Sequence, residues 1–263
     1  MAGALTAGPA QKCCASRTRR RMKQNYCMDL HTHTIVSGHA YNTMNEMIRT
    51  AADKGLTILG ISDHAPAMPG SACKSYFQNM GILSHEKYGI RVLYGAELNI
   101  MDYRGSVDLD ANGVRSLDYC IASLHRNCLT PGSEKENTAA YIGAMEQEKV
   151  IIIGHPDDGH FSVNYDELVL EAKRHRTLIE LNNSSLSPRG FRIHALENDR
   201  RILALCMKYG VPVILGSDAH REEDIAEFGL AADLLKELSF PQELIINTSP
   251  EKLQEWLPGR ETL

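Results

Sequence analysis

At 263 residues the chain is longer than an average domain, and with 43% hydrophobic residues it can bury a sizeable core. A net charge of −5 excludes a global bias toward nucleic acid, and no apolar run approaches the roughly 20 residues that span a bilayer. The seven cysteines are odd in number and include no C-x-x-C, the pattern of reduced thiols in a cytoplasmic protein rather than of a disulfide framework.

The first 21 residues are rich in alanine, glycine and basic residues, and no acidic residue precedes Asp29. They read as a disordered extension ahead of a single domain over 22–263, with Met22 a second usable start. From there, short β-rich runs recur: 26–33, 58–64, 91–98, 119–125, 150–156, 177–183 and 211–220. Most are apolar almost throughout, as strands of a parallel sheet buried on both faces are. Helical periodicity lies between most of them, over 42–54, 137–148, 165–175, 193–209 and 222–238, with Gly55 and Gly210 as stops. Residues 65–85 read as a loop over the mouth with one short helix. Residues 97–117, with turn signals at Arg104-Gly105 and Asn112-Gly113, read as a hairpin insertion. Strand ends about 31 residues apart are one βα unit apart, and seven such units predict a distorted seven-stranded, TIM-like (β/α)7 barrel.

Six of the seven strands end in a metal-capable residue. These are His31 and His33, then Asp63-His64, Glu97, His125, His155, and Asp218 with His220; the remaining run ends in Asn182 and Asn183. His39 follows in the first loop. In a βα barrel the C-terminal ends of all strands converge on one rim, so residues at matching points of successive units become neighbours. In H-x-H and D-x-H, alternate strand side chains face one way, so each pair can grip one ion. A lone strand-end histidine is ordinarily a hydrogen-bonded core residue. Six units delivering such groups to one rim is different, because unpaired buried imidazoles and carboxylates are costly and metal coordination removes the cost. Of the other histidines, His175 and His194 read as surface residues, His85 as near the mouth, and His160 as a rim residue that touches substrate.

The stretches DLHTHT (29–34), SDHAP (62–66), IIIGHP (151–156) and GSDAH (216–220) resemble the signature of the polymerase-and-histidinol-phosphatase (PHP) family. SGHAYNT (37–43), GAELNI (95–100), IELNNSS (179–185) and FPQELIINTSP (240–250) are most similar to its YcdX-type phosphatases. The resemblance runs from about Met22 to the C-terminus. It implies three divalent metal ions, with zinc preferred and manganese or iron compatible with the set. The first ion takes His31, His33, Glu97 and Asp218; the second Glu97, His125 and His155; the third His39, His64 and His220. Glu97, Asp218 and His220 form the implied catalytic set, and Arg189 and Arg192 are the basic candidates for holding phosphate. The activity implied is hydrolysis of a small phosphorylated metabolite or nucleotide by a metal-activated hydroxide, with no membrane or nucleic-acid partner. Histidinol phosphatase and a nucleic-acid-processing phosphoesterase are the competing readings. Nothing in the sequence specifies an oligomeric state.

Overall fold

The computed structural model describes residues 26–258. The expected N-terminal extension, with Cys13 and Cys14, therefore lies outside the described residues. The strands are β1 (Met28–Asp29), β2 (Ile58–Ile61), β3 (Glu86–Lys87), β4 (Ile90–Asn99), β5 (Tyr119–Ser123), β6 (Val150–Ile153), β7 (Leu178–Asn182) and β8 (Val213–Gly216). Seven of them pair in parallel in the order β1-β2-β4-β5-β6-β7-β8, and the short β3 lies antiparallel on β4. The helices are α1 (Met44–Lys54), α2 (Lys74–Gln78), α3 (Ala111–Val114), α4 (Glu134–Ala144), α5 (Tyr165–His175), α6 (Ala195–Tyr209), α7 (Gly229–Glu237) and α8 (Pro250–Gln254). This is the expected (β/α)7 barrel, nearly closed.

The seam between β1 and β8 is sealed at two levels. Near the C-terminal ends, Thr32 bridges Ala219, and His33 N–H donates to Ala219 O at 2.8 Å. Lower down, the buried Asn247 side chain takes the place of a missing strand. Its Oδ1 accepts from Leu215 N at 2.7 Å, and its Nδ2 donates to Met28 O at 3.1 Å and Leu215 O at 2.9 Å. The Leu215 N–H and the Leu215 and Met28 carbonyls, which a ladder would have paired, are thus satisfied.

Two apolar clusters follow from the alternation of strand side chains. Met28, Leu30, Ile58, Leu93, Tyr119, Ile121, Leu178 and Ile214 belong to the barrel interior. Ile179, Leu181, Val213 and Leu215 belong to the larger core beneath the helices. Tyr119 is the largest interior plug, and it fits because β2 carries a glycine beside it: a Cβ on Gly60 would stand 2.1 Å from Tyr119 Oη.

Helix ends obey local chemistry. A Thr43–Glu46 capping box starts α1, and Gly55 at φ 85° stops it. The fourth helix starts earlier than its periodicity indicates, because Ser133 and Glu136 form a second capping box. The single helix expected over 222–238 is broken. Ala226 sits at φ 55° and its N–H is drawn to Asp29 Oδ2 at 2.9 Å, so α7 begins only at Gly229. In the 97–117 insertion, a turn at Gly105 is closed by an Ile100–Val107 bridge, as expected; Asn112-Gly113 instead lies within α3. Loop 65–85 carries α2 and a further 3₁₀ turn at Met80–Ile82. His85 is not at the mouth. It precedes the start of β4 and pairs with Asp118, just before β5, at the opposite end of the barrel. Among the described residues no helix is long and apolar enough to cross a membrane.

Candidate metal centre

The rim at the C-terminal ends of the strands gathers His31, His33, His39, His64, Glu97, His125, His155, Asp218 and His220 into one cluster. Glu97, fully buried on β4, is at its centre. Its Oε2 is 2.7 Å from His64 Nδ1, 3.5 Å from His31 Nε2 and 3.6 Å from His33 Nε2. Its Oε1 is 2.9 Å from His155 Nε2 and 3.2 Å from His125 Nε2. The two oxygens therefore face two different sets of imidazoles. Asp218 Oδ1 is 3.3 Å from His33 Nε2 and 3.7 Å from His31 Nε2. His39 Nε2 and His220 Nε2 are 3.0 Å apart.

Hydrogen bonds behind the rings fix which nitrogen faces the cluster. His31 Nδ1 meets Glu180 Oε1 at 2.6 Å. Since a carboxylate only accepts, the proton is on Nδ1. His33 Nδ1 meets Ser37 Oγ at 3.1 Å, and that hydroxyl spends its own proton on Asp63 Oδ1 at 2.7 Å, so His33 Nδ1 is again the donor. His125 Nδ1 donates to Asn99 Oδ1 at 2.8 Å; the Asn99 amide is oriented by its donation to Ala65 O and Asp108 Oδ2. His39 Nδ1 donates to Ser37 O at 3.1 Å and His220 Nδ1 to Asp218 O at 3.0 Å. Five rings thus present an Nε2 lone pair to one space. His39 and His220 confront each other acceptor to acceptor, which a bound cation resolves and a hydrogen bond between neutral rings does not.

Several of these atoms are orphans. His31 Nε2, His33 Nε2, His64 Nδ1 and Glu97 Oε2 are buried without a hydrogen-bond partner; the short His64–Glu97 distance lacks hydrogen-bond geometry. Zinc bonds of about 2.0–2.1 Å imply tetrahedral ligand edges of about 3.3–3.4 Å, close to the separations around His31, His33, Glu97 and Asp218. Three triples have ligand atoms within 4.8 Å of one another: His31-His33-Asp218, His64-Glu97-His125 and His33-His64-His220. The donor set fits divalent metal. The last triple contains His33 rather than His39, whose ring lies against those of His64 and His220 at centroid distances of 5.0 and 4.6 Å.

The electrostatics agree. Burial opposes charge on Glu97 and Asp218, but His64, His125 and His31 hold Glu97 well below the usual carboxylate range, and His31 and Arg192 do the same for Asp218. Burial, then His220 and His64, hold His33 well below the usual imidazole range. Backbone strain marks the same place: His155 sits at φ 29° and Asp218 at φ 55°. Left-handed backbone at such residues costs of order 1–3 kcal/mol each and persists only where the surroundings over-determine it.

The expected basic residues separate. The Arg192 side chain is 5% exposed and donates to Asp218 Oδ2 at 2.9 Å, Ser185 Oγ at 3.1 Å and Asn182 Oδ1 at 3.3 Å. Burial alone would lower its pKa, but Asp218 and Asp157 raise it, so it stays charged. Arg189 is exposed and away from this network. His160 caps Asp158 through Nδ1 at 2.7 Å rather than joining the cluster.

Four supporting residues stand behind the cluster rather than in it. Asp63, although at a strand end, faces away from the cluster; it anchors the 34–37 loop through Thr34 and Ser37 and accepts from Tyr76 Oη of α2. Ser37, Asn99 and Glu180 act behind the rings. Of these three, which the sequence reading did not single out, Glu180 alone had a visible signal, a carboxylate inside the apolar run TLIELNN.

The sequence profile of the PHP domain matches residues 29–193. The chain is 43% identical over 238 residues to a probable phosphatase of Clostridium novyi, covering 90% of this chain and 97% of that one. It is 44% identical over 230 residues to a probable phosphatase of Caldicellulosiruptor saccharolyticus, covering 88% and 95%. Among solved structures, the histidinol phosphate phosphatase of Lactococcus lactis, complexed with zinc, L-histidinol and phosphate, superposes with a TM-score of 0.56. That match covers 82% of this chain and 95% of the other at 17% identity, a likeness of fold alone. The profile match and the identity over nearly the whole length of these relatives lead to one conclusion: this chain belongs to the PHP domain family.

Proposed function

We infer that this chain is a metal-dependent phosphatase, and we propose that it hydrolyses small phosphomonoesters at the rim described above. The observation that carries the reading is the set of oriented Nε2 lone pairs around a carboxylate whose two oxygens face different imidazoles. On this reading His31, His33, Glu97 and Asp218 hold one divalent ion, Glu97, His125 and His155 a second, and His39, His64 and His220 a third. Zinc suits the imidazoles, and the two carboxylates keep manganese and iron compatible. Bound divalent ions lower the pKa of water and withdraw charge from phosphoryl oxygens.

The chain's own residues supply the rest. Glu97, shared between the two imidazole sets, offsets like-charge repulsion inside a buried site. Asp218 keeps Oδ1 toward His31 and His33 while Arg192 and Asn182 occupy Oδ2. Burial opposes its charge, but His31 and Arg192 hold its carboxyl well below the usual carboxylate range, which suits an anionic ligand. Arg192 places a fixed guanidinium beside the cluster, where it offsets charge on phosphate oxygens. Arg189, exposed, and His160, paired with Asp158, remain candidates for substrate contact outside the ligand cluster. The free thiols of Cys27, Cys73, Cys120, Cys128 and Cys206 support a cytoplasmic location.

The test is phosphate release from p-nitrophenyl phosphate against its bis-diester, followed by a panel of phosphorylated metabolites, nucleotides, histidinol phosphate and single-stranded DNA. A monoester preference abolished by chelation supports the reading; a clear preference for the diester or for DNA overturns it.

A further inference from the structure

The strand β7 supplies no ligand to the proposed metal centre, yet it carries a buried carboxylate directly behind it. We propose that Glu180 is a positioning residue that sets two limbs of the centre at once; this rests on the metal-dependent reading above. Glu180 is 2% exposed. Its Oε1 accepts from His31 Nδ1 at 2.6 Å. Its Oε2 accepts from the backbone N–H of His155 at 2.7 Å and from Asn182 Nδ2 at 3.2 Å.

Both oxygens are therefore engaged on the far side of the rings, and Glu180 does not compete for the ions. It locks the proton of His31 on Nδ1 and leaves Nε2 as the lone pair, an arrangement that raises ligand basicity and fixes ring orientation. At the same time it holds the His155 backbone, which sits at φ 29°, in a conformation that an unsupported chain leaves. One carboxylate thus couples His31, in one proposed ion set, to His155, in the other.

The neighbouring strand is shaped to admit it. Asn182 of β7 stands opposite Gly216 of β8 in the parallel register. A Cβ on Gly216 would lie 1.9 Å from Glu180 Oε1 and 3.0 Å from His31 Cβ. Gly216 therefore leaves room for the carboxylate, and any larger residue there displaces it.

An amide cannot replace this carboxylate. Glu180 accepts on both oxygens, whereas glutamine has one accepting oxygen and one donating nitrogen. In Glu180→Gln, either His31 Nδ1 or the His155 N–H must face another donor.

The decisive measurement is stepwise affinity for zinc, by competition with a chromophoric chelator, on the metal-free wild type, Glu180→Gln and Gly216→Ala. Melting curves of the metal-free forms accompany it. We expect both variants to weaken the equivalents that depend on His31 and His155 by about 10–100-fold. The equivalent that depends on His39 and His220 should keep its wild-type affinity. A purely structural role predicts the opposite split: a lower melting temperature without metal, and all affinities unchanged or shifted together. That result overturns the inference. Should Gly216→Ala fail to fold, Glu180→Gln decides alone. A wild type that binds no divalent ion overturns both this inference and the metal-dependent reading. A wild type that binds normally beside an unchanged Glu180→Gln overturns this inference only.

Discussion

Removing divalent ions is expected to cost the fold much of its stability. Four buried atoms turned into the centre, His31 Nε2, His33 Nε2, His64 Nδ1 and Glu97 Oε2, lack a hydrogen-bond partner. A buried polar atom left unpaired costs about 1–3 kcal/mol, so the four together cost about 4–12 kcal/mol when no cation takes their lone pairs. Protonation does not repair all of this, because burial and the neighbouring His220 and His64 keep His33 neutral. In a domain of this size each kcal/mol moves the melting temperature by about 2–4 °C, so even the low end corresponds to about 8–16 °C. The assay is calorimetry on protein dialysed against a chelator, repeated as zinc, manganese or ferrous iron is returned in sub-stoichiometric steps. Stabilisation should rise with occupancy and saturate when the sites fill. A melting temperature within about 2 °C of the loaded protein, with elemental analysis showing the metal gone, would refute the reasoning, because the orphaned atoms would then carry no cost.

Four further outcomes are expected. His39→Ala should lower metal content by one equivalent and turnover by about 10²–10³, since His39 and His220 meet acceptor to acceptor; full metal content with near-normal turnover would make His39 a bystander. Arg192→Lys keeps charge but loses the fork that joins Asp218, Ser185 and Asn182, and should cost on the order of 10² in kcat/KM. Arg189→Ala should stay near wild type, and the reverse ranking would move the phosphate contact to Arg189. Asn247→Ala leaves the buried Leu215 N–H unpaired at the barrel seam, costing about 1–3 kcal/mol. It should lower the melting temperature with metal affinity intact, and an unchanged melt would show that the seam closes without it.

The sequence by itself determined the barrel and the neighbourhood of the cluster. The reason is periodic: in a βα repeat, every strand reaches the same rim at the same point of its unit, so matching positions such as Glu97, His125 and His155 converge whatever the details between them. Apolar periodicity fixed α5 and the stop of α1 at Gly55 for similarly local reasons, while the Thr43 cap starts α1 two residues later than the expected 42. Only the tertiary structure decided what stands behind the rings. His31 meets Glu180 across 149 residues and Asn99 fixes His125 across 26, contacts that no local pattern encodes. Arg192 and Arg189 look alike in SPRGFR, and only the fold buries one against Asp218 and leaves the other exposed. His85 has the same composition signal as a mouth residue, but lies at the other end, where β3 pairs with the start of β4. Ala226 sits in a helical pattern, yet its N–H is taken by a carboxylate 197 residues away. Ligand-capable side chains were legible because burying them unpaired is costly and their spacing repeats; their orientation was not, because it depends on hydrogen bonds between distant strands.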